Sequence, residues 1–312
     1  MTKFKVTSSE LNLRSTPEIN SNNILTVLSK GQFLTRIGNE PDTERFWNLR
    51  TEDGIEGFAS KSFLEALKIE EKVLWVVNYP TSGTPFGLDW FVERAVFIGA
   101  TAVAIRTDND LEAAIAAFHP LGIKVYGWRW PSAERVRALE EANKVVNLYA
   151  RGLDGYYVDP EGKKGKHYDW DRLNLAPIAD EFCKIITTAA PNKPFGTTSH
   201  FRGKKVHSEL PWETFFQYST LLLPQAYWKS ADGLIFGGDP KKNYDISLDE
   251  WSAIGASKDK IVPMAGELAF STVKNINDYV EEAINQGKTD LHFYTATKNV
   301  TDAVWNAVKQ IG

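Results

Sequence analysis

As far as about residue 66, apolar residues recur in short alternating runs broken by turn residues, with no stretch of helical period. Leu11 and Leu13 lead into Arg14-Ser15-Thr16-Pro17. Ile24-Leu25-Thr26-Val27-Leu28 stops at Lys30-Gly31-Gln32, and Phe46-Trp47-Asn48-Leu49-Arg50 stops near Asp53-Gly54. Gly57-Phe58-Ala59-Ser60 and Phe63-Leu64 close the series. Short strands at this spacing predict a small all-β barrel over residues 1–66. A charged linker is expected at 67–72, and beyond it the texture changes. Apolar strands are predicted at 73–78, 102–106, 123–128, 155–159, 195–199, 221–227, 261–265 and 291–295. Each is followed by an amphipathic pattern, at 88–98, 111–118, 133–150, 173–189, 212–218, 248–254, 276–286 and 301–311. Eight such units in residues 73–312 predict a (β/α)8 TIM barrel, so the fold class is α/β. A doubly wound open sheet is the rival, but no G-x-G-x-x-G or Walker-type turn follows a strand.

Barrels of this kind build their sites from the C-terminal ends of the strands. The fourth strand ends most informatively: Asp154-Gly155-Tyr156-Tyr157-Val158-Asp159-Pro160-Glu161. Residues two apart on a strand share a face. Asp159 and Glu161 are therefore expected to project together, with Tyr157 behind them, while Asp154 is out of phase and structural. The other strand ends supply Asn78, Arg106, Trp128, His200, Gln225, Tyr227 and Glu267 as candidate substrate-binding residues. The five histidines (119, 167, 200, 207 and 292) are scattered and H-x-H is absent, so neither a metal nor another cofactor is expected. No G-x-S-x-G elbow is present.

Composition narrows the partners. A net charge of −4 argues against nucleic acid, and no apolar run reaches membrane-spanning length. The single cysteine, Cys183, excludes an internal disulfide and lies in a helical pattern, as a buried thiol would. Ten tryptophans exceed what a core of this size needs, and flat rings serve as sugar platforms. A monomer is expected. Met1-Thr2-Lys3-Phe4-Lys5-Val6 runs straight into a strand with no signal-peptide core, so synthesis in the cytoplasm and later release or export is the expectation.

Paired carboxylates in one cleft suit acid-assisted glycosidic cleavage. The acid must be protonated at working pH, so its pKa must rise from about 4.3. Asp159 beside Glu161, and aromatic walls from Tyr157, Trp128 and Tyr227, supply the means. The bland reading is that Asp159 and Glu161 pair with Lys163, Lys164 or Arg106. A second catalytic arrangement would use Glu161 as acid and Glu267, after the seventh strand, as nucleophile.

Two resemblances sharpen this picture. The first region, with L-N-L-R-S-T-P, a strand before K-G, W-N-L and G-F-A-S followed by F-L, resembles the bacterial SH3 family, apart from Phe58 where Trp is usual. That resemblance implies a cell-wall-binding module. The fourth-strand octapeptide is similar to the D-G-x-D-x-D-x-E signature of the chitinase-like glycoside hydrolase family 18, with Tyr157 in place of an Asp. It is also similar to the D-x-E end of the lysozyme-like family 25. Gln225-Ala226-Tyr227 resembles the family 18 M-x-Y region, whose Tyr touches the acetamido group. Asn78 stands where family 25 has Asp, and Gly127-Trp128-Arg129-Trp130 where family 18 has S-x-G-G. The resemblance implies Glu161 as proton donor and Asp159 as its assistant, acting on β-1,4 bonds of an N-acetylhexosamine polymer. Bacterial cell-wall peptidoglycan is the expected partner. The alternatives are a non-catalytic carbohydrate-binding barrel, or a glycosidase for chitin or another polysaccharide.

Overall fold

The computed structural model describes residues 3–37, 43–51, 53–79 and 86–311. The chain divides into two compact units: Met1–Ile69 with Ile284–Thr289, and Glu70–Ala283 with Asp290–Gly312. The first unit holds β1 (Lys3–Val6), β2 (Glu10–Arg14), β3 (Ile24–Ser29), β4 (Phe33–Arg36), β5 (Phe46–Thr51), β6 (Glu56–Ser60) and β7 (Leu64–Ala66). They form one antiparallel sheet in the order β3-β2-β6-β5-β4-β1-β7. Alternation sends Phe4, Val6, Leu11, Leu13, Leu28, Leu34 and Leu49 into a shared core, as the two-residue period predicts.

The second unit alternates strand and helix. Its strands are β8 (Glu71–Val76), β9 (Ala102–Arg106), β10 (Lys124–Arg129), β11 (Gly155–Val158), β12 (Phe195–His200), β13 (Leu221–Gln225), a two-residue hairpin pair β14 (Lys229–Ser230) and β15 (Gly233–Leu234), and β16 (Asp290–Phe293). Its helices are α1 (Leu88–Ile98), α2 (Leu111–Phe118), α3 (Arg135–Ala150), α4 (Ala176–Ala189), α5 (Trp212–Tyr218), α6 (Pro240–Ala253), α7 (Val273–Asn285) and α8 (Asp302–Lys309). Seven strands make a parallel sheet in the order β13-β12-β11-β10-β9-β8-β16. Among the described residues, no helix is long and apolar enough to cross a membrane.

Three differences from expectation have physical causes. The first parallel strand begins at Glu71, inside the expected linker, because Lys72 is committed to the fold. Its backbone pairs with β16, and its buried ammonium donates to the carbonyls of Ile98 (2.9 Å) and Val308 (3.3 Å) and to that of Ile311. The strand expected at 261–265 is irregular, because Pro263 has no N–H to give to a ladder. The segment still bridges both edges of the sheet, Ile261 to Leu222 and Ala265 to Phe293. Its N–H groups donate to Leu222 (2.7 Å), Pro224 (2.8 Å) and His292 (2.9 Å) carbonyls. The helix expected at 248–254 starts instead at Pro240, capped by the Asp239 carboxylate. Its buried face includes the polar residues Asn243 and Ser247, which hide the apolar period.

The core of the sheet is aromatic. Trp75, Tyr126, Trp128 and Tyr157 are packed with Val73, Leu223 and Met264. Tyr157 stacks on Trp75 at 5.5 Å and 19°. Gly196 on β12 makes room for that ring: a Cβ there would lie 2.7 Å from Tyr157 Cδ1 and 3.0 Å from the Leu221 carbonyl. Neither the buried ring nor the strand has space to retreat. Gly196→Ala should therefore destabilise the protein by about 1–3 kcal/mol. A urea midpoint equal to that of the parent would show that the packing at this layer is looser than described.

Candidate active site

β11 positions the site. Its four residues are buried, and the Asp159 N–H extends its ladder by donating to the Arg129 carbonyl (2.7 Å). Asp159 is 6% exposed, whereas the Glu161 side chain keeps 32% of its surface open. The Glu161 backbone is held by the Trp170 N–H (2.8 Å), and the Trp170 indole in turn donates to the Pro131 carbonyl (2.9 Å). The two carboxyl groups lie within hydrogen-bonding reach of each other, and the Gln225 amide donates to Asp159 Oδ1 (3.0 Å). The in-phase projection read from the i, i+2 spacing is thus present. Asp154 faces elsewhere, accepting from the Val125 N–H (2.7 Å) and contacting His119 Nε2 (2.8 Å).

These carboxyls line a cavity of about 450 Å³. Trp75, Trp128 and Met264 belong both to its lining and to the core, and Trp130, Tyr168, Tyr227 and Tyr294 supply further aromatic surface. Tyr227 stacks on Tyr294 at 5.2 Å and 18°. Burial raises both phenols, and the nearby Asp159, Glu161 and Glu267 charges add to it, so both remain protonated donors.

Burial drives Asp159 well above the usual carboxyl range, and the Glu161 charge raises it further. Burial also raises Glu161, opposed by His207 and by hydrogen bonds from Asp159 and Gln225. Two close carboxyls in a poorly solvated site resist ionising together, so the pair favours holding one proton between them. One of them is then an acid and the other a charge. This division of roles needs no metal, and among the described residues no group of three or more His, Cys, Asp or Glu is set to hold one.

Of the sequence-derived candidates, Asp159, Glu161, Trp128, Gln225 and Tyr227 come together on this cavity. Tyr157 does not line it; it is fully buried in the core beside Trp75. Arg106 and Asn78 bond each other, while Arg106 also pairs with Asp108 and lies over the Trp130 ring (4.9 Å). That engagement removes Arg106 as a partner for the carboxyl pair and makes it a support for the Trp130 wall. Glu267 caps the turn at Leu268–Phe270, with its carboxyl raised by burial and by Asp232, and it is not part of the lining. His200 lies beside His207, with ring centroids 6.2 Å apart, and burial pushes it down to about 4, so its ring is neutral. Sequence reasoning missed His207, whose Nε2 is 3.8 Å from Glu161 Oε2, because no local pattern ties residue 207 to residue 161. Trp75, Lys163, Tyr168 and Thr198 were likewise missed as lining; Trp75 and Thr198 read simply as strand residues.

No protein-family model matches this chain, and no curated protein is similar to it in sequence. Solved structures do share its fold. The spore cortex-lytic enzyme SleL from Bacillus cereus is 10% identical, with a TM-score of 0.57 over 92% of this chain and 79% of that one. A GH2 beta-galacturonidase from Eisenbergiella tayi is 11% identical, with a TM-score of 0.54 over 98% and 67%. The chitinase domain of the spore coat protein CotE from Clostridium difficile is 12% identical at a TM-score of 0.43, and the chain spans 63% of its length. At such identities the likeness to the cortex-lytic enzyme and to the beta-galacturonidase is one of fold alone.

The raised pair has a cost that can be measured. A carboxyl whose folded pKa lies above its unfolded value of about 4 adds stability that is complete below that value. The contribution is lost as pH rises through the folded pKa, because the native state must then carry a poorly solvated charge. Asp159→Asn should therefore match the parent near pH 4 and melt higher at pH 7, with each kcal/mol relieved reading as ~2 °C. A difference in Tm that stays constant from pH 4 to pH 8 would show that the pair is not raised.

Proposed function

We propose that the protein is a glycoside hydrolase that cleaves β-1,4 bonds in an N-acetylhexosamine polymer, bacterial peptidoglycan. The second unit acts as a (β/α)8 barrel whose first strand begins at Glu71, and residues 1–66 act as an SH3-like wall-binding module joined to it by the short segment between them. The observation that carries the reading is the Asp159–Glu161 pair, both carboxyls raised by burial and within hydrogen-bonding reach of each other on an aromatic cavity at the strand ends. Sugar rings present flat C–H faces to aromatic surfaces, and Trp130, Tyr168 and Tyr227 offer such surfaces beside the acid. The fold neighbour described as a spore cortex-lytic enzyme is in keeping with a wall polymer.

In this mechanism Glu161, the more exposed of the two, gives its proton to the leaving oxygen as the glycosidic bond breaks. The anomeric carbon is taken by the substrate's own acetamido oxygen or by a water that Asp159 holds. Water completes the hydrolysis and its proton returns to Glu161. The free pair holds its proton on Asp159, the more strongly raised of the two. The positive charge developing on the sugar ring or its acetamido group favours the Asp159 carboxylate, held by Gln225, and moves that proton to Glu161. The Tyr227 and Tyr294 hydroxyls are neutral donors available to substrate oxygens.

General acid catalysis contributes about 10²–10⁴ in rate. Glu161→Gln should lower the release of reducing ends from purified bacterial walls by at least about 10²-fold and leave wall binding intact. Lysis at the parental rate would exclude Glu161 as the acid. Binding with no bond cleavage by the parent protein would favour a non-catalytic carbohydrate-binding barrel. Cleavage of chitin but not of walls would redirect the substrate.

A further inference from the structure

We infer that His207, held between Asp171 and Glu161, is a positioning residue that sets the pH range over which Glu161 can act as an acid. The inference rests on the reading of Glu161 as proton donor. His207 is 7% exposed. Its Nε2 is 3.8 Å from Glu161 Oε2, and its Nδ1 is 3.7 Å from Asp171 Oδ2. Both ring nitrogens therefore face a carboxyl oxygen.

The placement is fixed on every side. The His207 N–H donates to the Gly203 carbonyl (3.0 Å), and its own carbonyl accepts from the Trp212 indole (2.8 Å). Asp171 is held by the Glu209 N–H, which donates to Oδ1 (2.7 Å). Gly162, the residue after Glu161, leaves the space that the ring occupies: a Cβ there would stand 2.3 Å from His207 Nδ1 and 2.7 Å from Asp171 Cβ. Other charged or titratable groups near this cluster include Asp159, which hydrogen-bonds Glu161, the phenols of Tyr227 and Tyr294, and Lys163 and Tyr168 on the same cavity. They also include Asp169, whose backbone bridges Glu161, His200, whose ring is neutral, and Arg202 near His200.

The chemical consequence follows from charge balance. When the C–O bond of the substrate breaks, its electron pair goes to the leaving oxygen, which takes the Glu161 proton, and Glu161 is left as a carboxylate. When the ring carries its second proton, the positive charge 3.8 Å away stabilises that carboxylate and makes Glu161 a stronger acid. It also lowers the pH at which Glu161 is lost as an acid, against the upward pull of burial. His207 thus gains rate at acidic pH at the expense of activity at alkaline pH.

The test is the pH profile of hydrolysis of purified bacterial peptidoglycan by the full chain carrying His207→Gln, alongside direct titration of Glu161 by carboxyl ¹³C NMR. Loss of the cation should move the alkaline limb of kcat up by about one pH unit, lower the maximum rate several-fold and leave KM unchanged. The Glu161 titration should move in the same direction. Asp171→Asn, which removes the carboxylate on the far side of the ring, and Gly162→Ala, which displaces the ring, should produce the same shift to a smaller extent and cover the case in which His207→Gln does not fold. If kcat falls with neither the limb nor the titration moving in any folded variant, His207 is only structural and the inference fails. If the parent cleaves no glycan but the Glu161 titration still shifts, the glycosidase reading fails, and with it the role of His207 in acid catalysis, while the coupling of His207 to Glu161 stands.

Discussion

The second unit is organised around a pair of carboxyl groups held out of water at the end of β11. Charges placed so are unfavourable unless the surroundings compensate, and isolated ionisation there costs several kcal/mol. The structure compensates by coupling. Asp159 and Glu161 sit close enough to share a proton, Gln225 donates to the one, and His207 faces the other. Register supplies the geometry: β12 pairs His200 with Gln225 of β13, which brings the amide level with the strand end where Asp159 emerges.

The aromatic core serves the same end. Trp75, Trp128 and Tyr157 pack in contact in the interior, and the first two also reach the cavity. The Trp128 indole donates to the Val76 carbonyl (3.0 Å) and that of Trp75 to His292 Nδ1 (3.1 Å), so neither large ring is free to turn. Burial pushes His292 down to about 4, and the neutral ring can accept that bond without carrying charge into the core. A rigid, apolar lining keeps solvent away from the carboxyls, and this is the largest cause of their raised pKa values.

Parts of this arrangement were legible in the sequence and parts were not. The strand-end pair was legible because its residues are two apart, a spacing that fixes their side. Gln225, Tyr227 and Trp128 were legible because strand ends of this fold class converge. Tyr157 obeyed the same alternation yet ended in the core, since the position nearer the strand middle lies deeper between neighbouring strands. Arg106 was a reasonable ligand for substrate or carboxylate, but Asp108 two residues on, and Asn78 on the adjoining strand, claim it first. Helix α6 was misjudged at its start because its buried face includes Asn243, whose amide donates to the carbonyls of Tyr227 (2.8 Å) and Ile235 (3.2 Å). A polar residue satisfied in this way cannot be told from an exposed one by pattern alone.

The sequence by itself determined the alternation of strands and helices, the all-β character of the first region, and the common side of Asp159 and Glu161. These follow from local periods of two and 3.6 residues, which backbone geometry imposes wherever the chain folds. Only the tertiary structure decided that residues 261–265 bridge the sheet edges without forming a regular strand, and that His207 and Asp171 stand at Glu161. Such contacts join positions far apart along the chain, and packing density and desolvation select them with no repeating signal in the order of residues. The chemistry of the pair belongs to that second class: two acids two residues apart are ordinary until burial makes them share a proton.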